Sequence, residues 1–139
     1  MHVRDIMTYS PEYVTTNNTI IEAASKMKKF DTGFLPVVDE TTDEIVGTVT
    51  DRDIIINGLA DKKEATTPVK SVMDSDVYYC FETDKVEEAT QKMKNKQIHR
   101  LMVLNDDKNL LGVISLGDIA SHYSRDELVG EALKQISRP

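Results

Sequence analysis

Residues 47–54 read GTVTDRDI, and residues 112–119 repeat the pattern as GVISLGDI. Each stretch runs from a glycine through a β-branched pair to a hydroxyl residue, and then through two variable residues to an aspartate. This order predicts a strand that passes directly into a helix, with Thr50 and Ser115 as the N-cap residues. Asp53 and Asp118 stand three positions later, which is the spacing of a capping box.

The repeated motif has two interpretations. A helix start leaves backbone N–H groups and a partial positive charge, which suit a bound phosphate. Helix capping alone would also explain a hydroxyl residue followed three positions later by an aspartate. Capping does not require a glycine three residues before the cap, however, and Gly47 and Gly112 occupy that position in both copies. The recurrence therefore favours a role beyond capping.

The two motifs belong to a tandem duplication of the chain. A shift of 66 residues superposes the two halves as far as Asp39, and a shift of 65 residues superposes them beyond it. One residue deleted from a polar loop explains the change of shift. Identical residues aligned in this way include the pairs Val3/Val69, Met7/Met73, Tyr13/Tyr79, Lys26/Lys92 and Gly47/Gly112. A duplication of this length decides the architecture before any single motif does.

Each repeat predicts the element order β-α-β-β-α, so the fold class is α/β (α+β) with two such repeats. The first helices begin near Asn18 and Asp84, and Asp84 has capping-box spacing with Glu87. Gly33 is predicted to end the first of these helices. The strands that follow are predicted at residues 35–38 and 45–49, and at residues 101–104 and 110–114.

The repeat boundaries divide the chain into four parts. Residues 1–60 form the first repeat, 61–68 a linker, 69–124 the second repeat and 125–139 a C-terminal helix. A repeat of about 55–65 residues buries too little surface by itself, so the two repeats are expected to complete a core together. The C-terminal helix has an apolar face that needs a surface to cover, which a partner chain could provide. That face consists of Leu128, Val129, Ala132, Leu133 and Ile136.

Composition and charge exclude several classes of protein. The net charge of −7 makes nucleic acid an unlikely partner, because nucleic-acid binders usually present a basic face. No apolar run approaches the ~20 residues that cross a bilayer, and no signal-peptide core precedes the first repeat. Cys80 is the only cysteine, so no internal disulfide forms and a reducing, cytoplasmic compartment is predicted. No catalytic or metal-binding arrangement is predicted from the three histidines or from Cys80, which lies in an apolar strand.

The repeats resemble a known family. Each begins with a V-x-x-[IV]-M lead, at Val3 and Val69, and closes with G-x-[VI]-[ST]-x-x-D-[IL]. This tandem order resembles a cystathionine-β-synthase (CBS) domain pair, or Bateman module. It covers residues 1 to about 124, so the chain resembles a stand-alone CBS-domain protein. The resemblance implies repeats packed sheet to sheet about a pseudo-twofold axis, clefts for AMP, ADP, ATP or S-adenosylmethionine, and pairing into homodimers.

The resemblance also implies roles for the motif residues. Asp53 and Asp118 would bind ribose hydroxyls, and Thr50 and Ser115 would contact ribose or phosphate. A carboxylate can accept from both hydroxyls of a cis-diol, so the chemistry agrees with this role.

The two copies differ beside the motif. His99 and Arg100 match the family's His-Arg pair that meets phosphate, although a surface cation and a histidine bonded to the backbone would also explain them. The first copy has Gly33 and Phe34 at these positions, so Arg52 would supply charge there, and Gly33 would let an adenine approach the backbone.

The β-rich stretches before the first helices would line the base pockets. The candidate residues there are Tyr13, Thr15, Tyr79 and Phe81. Ordinary packing within a strand explains these residues equally well.

These observations predict a non-enzymatic sensor of adenosine nucleotides that forms a homodimer and acts on an unknown protein target. The alternative is a CBS-pair interaction scaffold with no physiological nucleotide, in which the motifs only cap helices. No cofactor, metal or membrane is predicted as a partner.

Overall fold

The computed structural model describes the backbone of residues 1–122 and 126–137, and the side chains of residues 1–122 and 130–137. The chain forms two compact units. The middle unit is Pro11–Val77, and the terminal unit combines Met1–Ser10 with the chain from Tyr78 onward. Each unit has its own hydrophobic core and its own sheet.

The middle unit contains one complete β-α-β-β-α series. Its elements are β2 (Val14–Thr15), α1 (Ile20–Phe30), β3 (Phe34–Val38), β4 (Ile45–Thr50) and α2 (Asp51–Asp53), which continues as a π-helical turn (Ile54–Leu59). The sheet order is β2-β3-β4, with β2 parallel to β3 and β3 antiparallel to β4. A short 3₁₀ turn, Val69–Ser71, adds its buried Val69 to the core.

The terminal unit repeats the series and adds one strand and one helix. Its elements are β1 (Thr8–Tyr9), β5 (Tyr79–Phe81), α3 (Val86–Lys96), β6 (Arg100–Leu104), β7 (Leu110–Ser115), α4 (Leu116–His122) and α5 (Asp126–Ile136). The sheet order is β1-β7-β6-β5, in which β5 is parallel to β6 and the other pairs are antiparallel. The mixed α+β class and the predicted element order of both repeats are confirmed.

Two local predictions at the first helices are wrong. Gly33 does not end α1, because the helix ends at Phe30 and Asp31 takes the left-handed conformation with φ 51°. Asp84 and Glu87 do not form a capping box, since Asp84 Oδ2 accepts a hydrogen bond from Phe81 N at 2.9 Å. Glu88 instead caps the helix by accepting from Lys85 N at 3.2 Å.

The C-terminal helix α5 packs against α3 and α4 of the terminal unit. Ala132 and Ile136 are buried in that unit's core, and Lys94 Nζ contacts Glu131 Oε1 at 3.0 Å. Leu133 remains 51% exposed, and the side chains of Leu128 and Val129 lie outside the described residues. This chain therefore covers part of the apolar face itself. None of the described helices is long and apolar enough to span a bilayer.

The lead segments of the two repeats, taken as residues 3–9 and 69–74, are exchanged between the units. Thr8, in the lead of the first repeat, pairs with Val113 of the second repeat. Asp74, in the lead of the second repeat, pairs with Thr48 of the first repeat through two backbone hydrogen bonds of 2.9 Å. The repeats of the sequence and the compact units of the structure are therefore different divisions of the chain.

The exchanged leads explain the glycine of the motif. A Cβ atom on Gly47 would lie 2.4 Å from the carbonyl oxygen of Asp74, and a Cβ atom on Gly112 would lie 2.4 Å from the carbonyl oxygen of Thr8. Both distances are far below van der Waals contact, and the atoms approached belong to the backbone. Only glycine allows each lead segment to pair with its strand at this position.

We predict that Gly47→Ala and Gly112→Ala each destabilise the protein by about 1–3 kcal/mol, because the new methyl group forces the lead segment off its strand. Urea unfolding measures the change. Gly130→Ala in α5 is the matched control, since no atom lies within 4 Å of a Cβ added there. That variant should keep or slightly raise stability, because alanine favours a helix over glycine by about 1 kcal/mol. If Gly47→Ala is as stable as the wild type, the lead segment does not require glycine at this position.

Glu40 connects the start of the middle unit to the β3–β4 hairpin. Its Oε2 accepts from Asn17 Nδ2 at 2.8 Å, and its Oε1 accepts from the Thr15 hydroxyl at 2.9 Å. These hydrogen bonds hold the pKa of Glu40 below its ordinary value of 4.5, and the bond from Asn17 has the larger effect. The folded state therefore favours the ionised carboxylate.

Because the folded pKa of Glu40 is depressed, its contribution to stability is fully present above about pH 4.5 and is lost as the pH falls through the folded pKa. We predict that Glu40→Gln lowers stability at neutral pH and that its difference from wild type shrinks below about pH 4.5. Thermal unfolding across this pH range measures both. Glu64→Gln, an exposed residue of the same unit, is the control and should run parallel to wild type. A pH-independent effect of Glu40→Gln would refute the assignment.

Candidate functional site

Both motifs lie where a strand passes into a helix, and both form reciprocal capping boxes. In the middle unit, Thr50 Oγ1 accepts from Asp53 N at 3.1 Å and Asp53 Oδ2 accepts from Thr50 N at 2.9 Å. In the terminal unit, Ser115 Oγ accepts from Asp118 N at 3.0 Å and Asp118 Oδ2 accepts from Ser115 N at 2.9 Å. The capping geometry predicted from the spacing is therefore present in both copies.

Capping does not use all the chemistry of these side chains. Each box engages only Oδ2 of its aspartate, and no described residue donates a hydrogen bond to Oδ1 of Asp53 or Asp118. The hydroxyls of Thr50 and Ser115 act as acceptors in the boxes, so each can still donate its proton. All four residues are half-buried. Each motif thus presents a carboxylate acceptor beside a hydroxyl donor.

The second motif has basic residues beside it. Arg100 begins β6 and is the cross-strand partner of Ser115, and it is exposed. His99 is also exposed, and its carbonyl oxygen accepts from Leu116 N at 2.8 Å. The sheet register thus brings the His99-Arg100 pair to the motif, although the two stretches lie fifteen residues apart.

The first motif has no basic pair at the equivalent place. Phe34 is the cross-strand partner of Thr50, and the carbonyl oxygen of Gly33 accepts from Asp51 N at 3.0 Å. A Cβ atom on Gly33 would lie 2.7 Å from Asp51 Oδ2, so the glycine makes room for this carboxylate. Arg52 is exposed and immediately follows Asp51.

A lysine holds each of the two aligned tyrosines, a contact that the sequence analysis missed. Lys26 Nζ donates to the carbonyl oxygen of Tyr13 at 2.7 Å and lies 5.8 Å from the centre of its ring. Lys92 Nζ likewise donates to the carbonyl oxygen of Tyr79 at 2.6 Å and lies 5.4 Å from the centre of its ring. The tyrosine and the lysine are each the same residue in both repeats, and this shared pair was the signal that could have revealed their contact.

The remaining candidates are engaged inside their own units. Tyr79 packs edge to face against Phe81, with ring centres 5.7 Å apart. The Thr15 hydroxyl donates to Glu40. Burial raises the pKa of Cys80 to about 12, so its thiol stays protonated at neutral pH, as expected for a strand cysteine. Among the described residues, no group of three histidine, cysteine, aspartate or glutamate side chains is placed to hold a metal ion.

A surface groove of about 600 Å³ runs along α1 in the middle unit. Val14, Ile21, Lys26 and Phe30 are among the residues that line it, and no motif residue does. Lys26, one of its two lysines, is already bonded to Tyr13. The groove is therefore separate from the chemistry of the motifs.

Known proteins match this chain over nearly its whole length. The CBS domain model matches residues 3–58 and 69–125. The CBS domain-containing protein YhcV of Bacillus subtilis is 38% identical over 135 residues, which are 97% of this chain and 94% of the relative.

Solved structures extend the likeness to the fold. Hypoxic Response Protein I, solved with two coordinated zinc ions, is 30% identical with a TM-score of 0.80, covering 89% of this chain and all of that one. The CBS domain pair of protein MJ0100, solved with 5′-methylthioadenosine and S-adenosyl-L-methionine, is 28% identical with a TM-score of 0.75, covering 87% of this chain and 94% of that one. With two matched repeats, a closely related full-length sequence and these shared folds, the chain belongs to the CBS domain family.

Proposed function

We propose that this protein is a non-enzymatic regulatory module that binds an adenosine-containing compound at its two motifs. The observation that carries the proposal is Oδ1 of Asp53 and of Asp118, to which no described residue donates a hydrogen bond and which lies beside a hydroxyl donor. This pair of groups suits the hydroxyls of a ribose. The related domain pair of protein MJ0100, solved with two adenosyl compounds, supports the ligand class.

Each residue of the second motif has a distinct role in this proposal. Asp118 accepts hydrogen bonds from the ribose diol, and Ser115 donates to ribose or phosphate. Arg100 and His99 contact a phosphate, for which the planar guanidinium offers paired donors. AMP, ADP, ATP and S-adenosylmethionine are the candidate ligands.

Tyr13, Thr15, Tyr79 and Phe81 remain candidates for the base pocket. The two lysines hold the backbone at Tyr13 and Tyr79, so these stretches can serve as rigid walls against an adenine. Thr15 would contribute its methyl group, because its hydroxyl donates to Glu40, its backbone N–H donates to Asn18 Oδ1, and its carbonyl oxygen accepts from Asn18 N.

The proposed output is regulatory. Both aspartates are held by hydrogen bonds inside their own capping boxes, an arrangement that suits binding better than proton transfer. A ligand that favours one arrangement of the protein changes its affinity for a target by the same free energy. The competing function is an interaction scaffold with no nucleotide, in which the boxes only cap helices.

We predict that millimolar AMP, ATP or S-adenosylmethionine raises the melting temperature, because a ligand at 100 times its Kd adds about 2.7 kcal/mol to stability. For a chain of this size the shift is on the order of 5–10 °C. Asp118→Ala should remove much of the shift caused by AMP or ATP, since the ribose loses its acceptor at the second motif.

Glu22→Ala is the matched control for this experiment. Thr19 and Glu22 form a capping box of the same type at the start of α1, away from the motifs. Loss of this capping box should lower the melting temperature of the free protein and leave the ligand-induced rise in melting temperature intact. If no adenosine compound shifts the wild type, the scaffold function replaces the proposed one.

We also propose that the module is a homodimer. In the middle unit, α1 packs against the π-helical turn, and both expose apolar side chains: Ile21 is 52%, Ile55 53% and Leu59 69% exposed. The equivalent helices of the terminal unit are covered by α5 and have Glu87 and Ala120 at the positions of Ile21 and Ile55. An exposed apolar helix face of this kind is typical of an interaction surface.

We predict that light scattering gives about twice the chain mass of 15.7 kDa for the wild type. The double variant Ile55→Lys, Leu59→Lys should give the mass of one chain, because two lysines cannot be desolvated in an apolar interface. Leu133→Lys is the control for adding a charge at an exposed apolar residue of α5 and should leave the mass unchanged. A wild-type protein that is monomeric at every concentration would exclude the homodimer.

A further inference from the structure

The backbone N–H groups at the first motif are all occupied by this chain. The pairs are Thr50 N with Asp53 Oδ2, Asp51 N with the Gly33 carbonyl, Arg52 N with Asp51 Oδ1, and Asp53 N with Thr50 Oγ1. A phosphate at a strand-to-helix junction normally binds to these same N–H groups. The first motif therefore has no backbone donor left for a phosphate.

The second motif differs at one amide. Its Ser115, Leu116 and Asp118 N–H groups have the equivalent partners. The N–H of Gly117, the counterpart of Arg52, makes no hydrogen bond to a described residue. Leu116 stands where the first motif has Asp51. Its apolar side chain can neither accept a hydrogen bond from the Gly117 N–H nor repel an anion.

Asp51 is the cause of the difference. Its Oδ1 accepts from Arg52 N at 2.8 Å, and its Oδ2 lies against Gly33, the residue that stands where the second copy has His99. A carboxylate oxygen is thus bonded to the amide that a phosphate oxygen would use, and it carries the same sign of charge. A second anion placed beside it would be repelled.

We infer that Asp51, in spite of the exposed Arg52 that was expected to supply charge beside it, makes the first motif selective for adenosine compounds that carry no 5′-phosphate. The inference rests on the proposed function and assigns the ligand class of one of its two motifs. Asp53 and Thr50 still offer an acceptor and a donor to the ribose. A 5′-thioether is tolerated beside the Asp51 carboxylate because it is uncharged, and a 5′-sulfonium is attracted to it. Phosphorylated adenosine is left to the second motif.

Isothermal calorimetry on the full chain tests the inference with AMP and 5′-methylthioadenosine, which differ in their 5′ group. Asp118→Ala disables the second motif, so the remaining binding reports on the first. This variant should bind 5′-methylthioadenosine and should bind AMP at least about tenfold more weakly, a difference of ~1.4 kcal/mol. Adding Asp51→Ala should strengthen AMP binding by about tenfold and leave 5′-methylthioadenosine unchanged.

Two further variants separate charge from other effects. Asp51→Asn keeps an acceptor for Arg52 N but removes the charge, so it should recover part of the AMP affinity. Asp43→Asn makes the same charge change at the opposite end of the β3–β4 hairpin and should recover none. If Asp118→Ala unfolds the protein, Asp118→Asn replaces it, because the amide can still accept from Ser115 N.

The outcomes distinguish the inference from the proposed function. If the wild type binds neither compound, the proposed function fails. If the wild type binds both and Asp118→Ala binds AMP as well as 5′-methylthioadenosine, the inference is wrong and the function stands. The inference is also wrong if Asp118→Ala binds neither compound, or if removing Asp51 leaves AMP binding unchanged.

Discussion

The rest of the structure depends on the close approach of each lead segment to the glycine of the motif strand. The carbonyl oxygens of Asp74 and Thr8 lie too close to the positions of a Cβ atom on Gly47 and Gly112 for any residue but glycine. This approach pairs each lead with the strand of the other repeat and buries an apolar residue, Val69 or Val3, in the core beside it. Each repeat therefore completes its core with a lead segment that belongs, in the sequence, to the other repeat.

The capping boxes hold the junction that follows the glycine, and they would preorganise it for the proposed ligand. Each box fixes the aspartate through Oδ2, so the orientation of the carboxylate is set before any ligand arrives. Preorganised acceptors lose less conformational entropy on binding than mobile ones. The structural and the functional interpretations of the motif are therefore compatible, because Oδ2 of each aspartate caps the helix and Oδ1 would serve the proposed ligand.

Two repeats with the same order of strands and helices acquire different chemistry through the residues around the motif. Position 51 carries a carboxylate and position 116 an apolar side chain, while Gly33-Phe34 in one copy corresponds to His99-Arg100 in the other. The duplication preserves the capping-box geometry, and the substitutions change the charge that surrounds it. Under the proposed function, these differences would let the two repeats distinguish ligands that share an adenosine.

The sequence by itself determined the duplication, the order of strands and helices, and the boxes at Thr50 and Ser115, because these features depend on residues close together in the chain. Only the tertiary structure decided the exchange of the lead segments and the packing of α5 on its own chain. It also decided that Asp51 lies against Gly33 and that Lys26 bonds to Tyr13. Such contacts join residues far apart in sequence, and no local periodicity records them. They form because each core must cover its apolar side chains with whichever segments the folded chain brings to it.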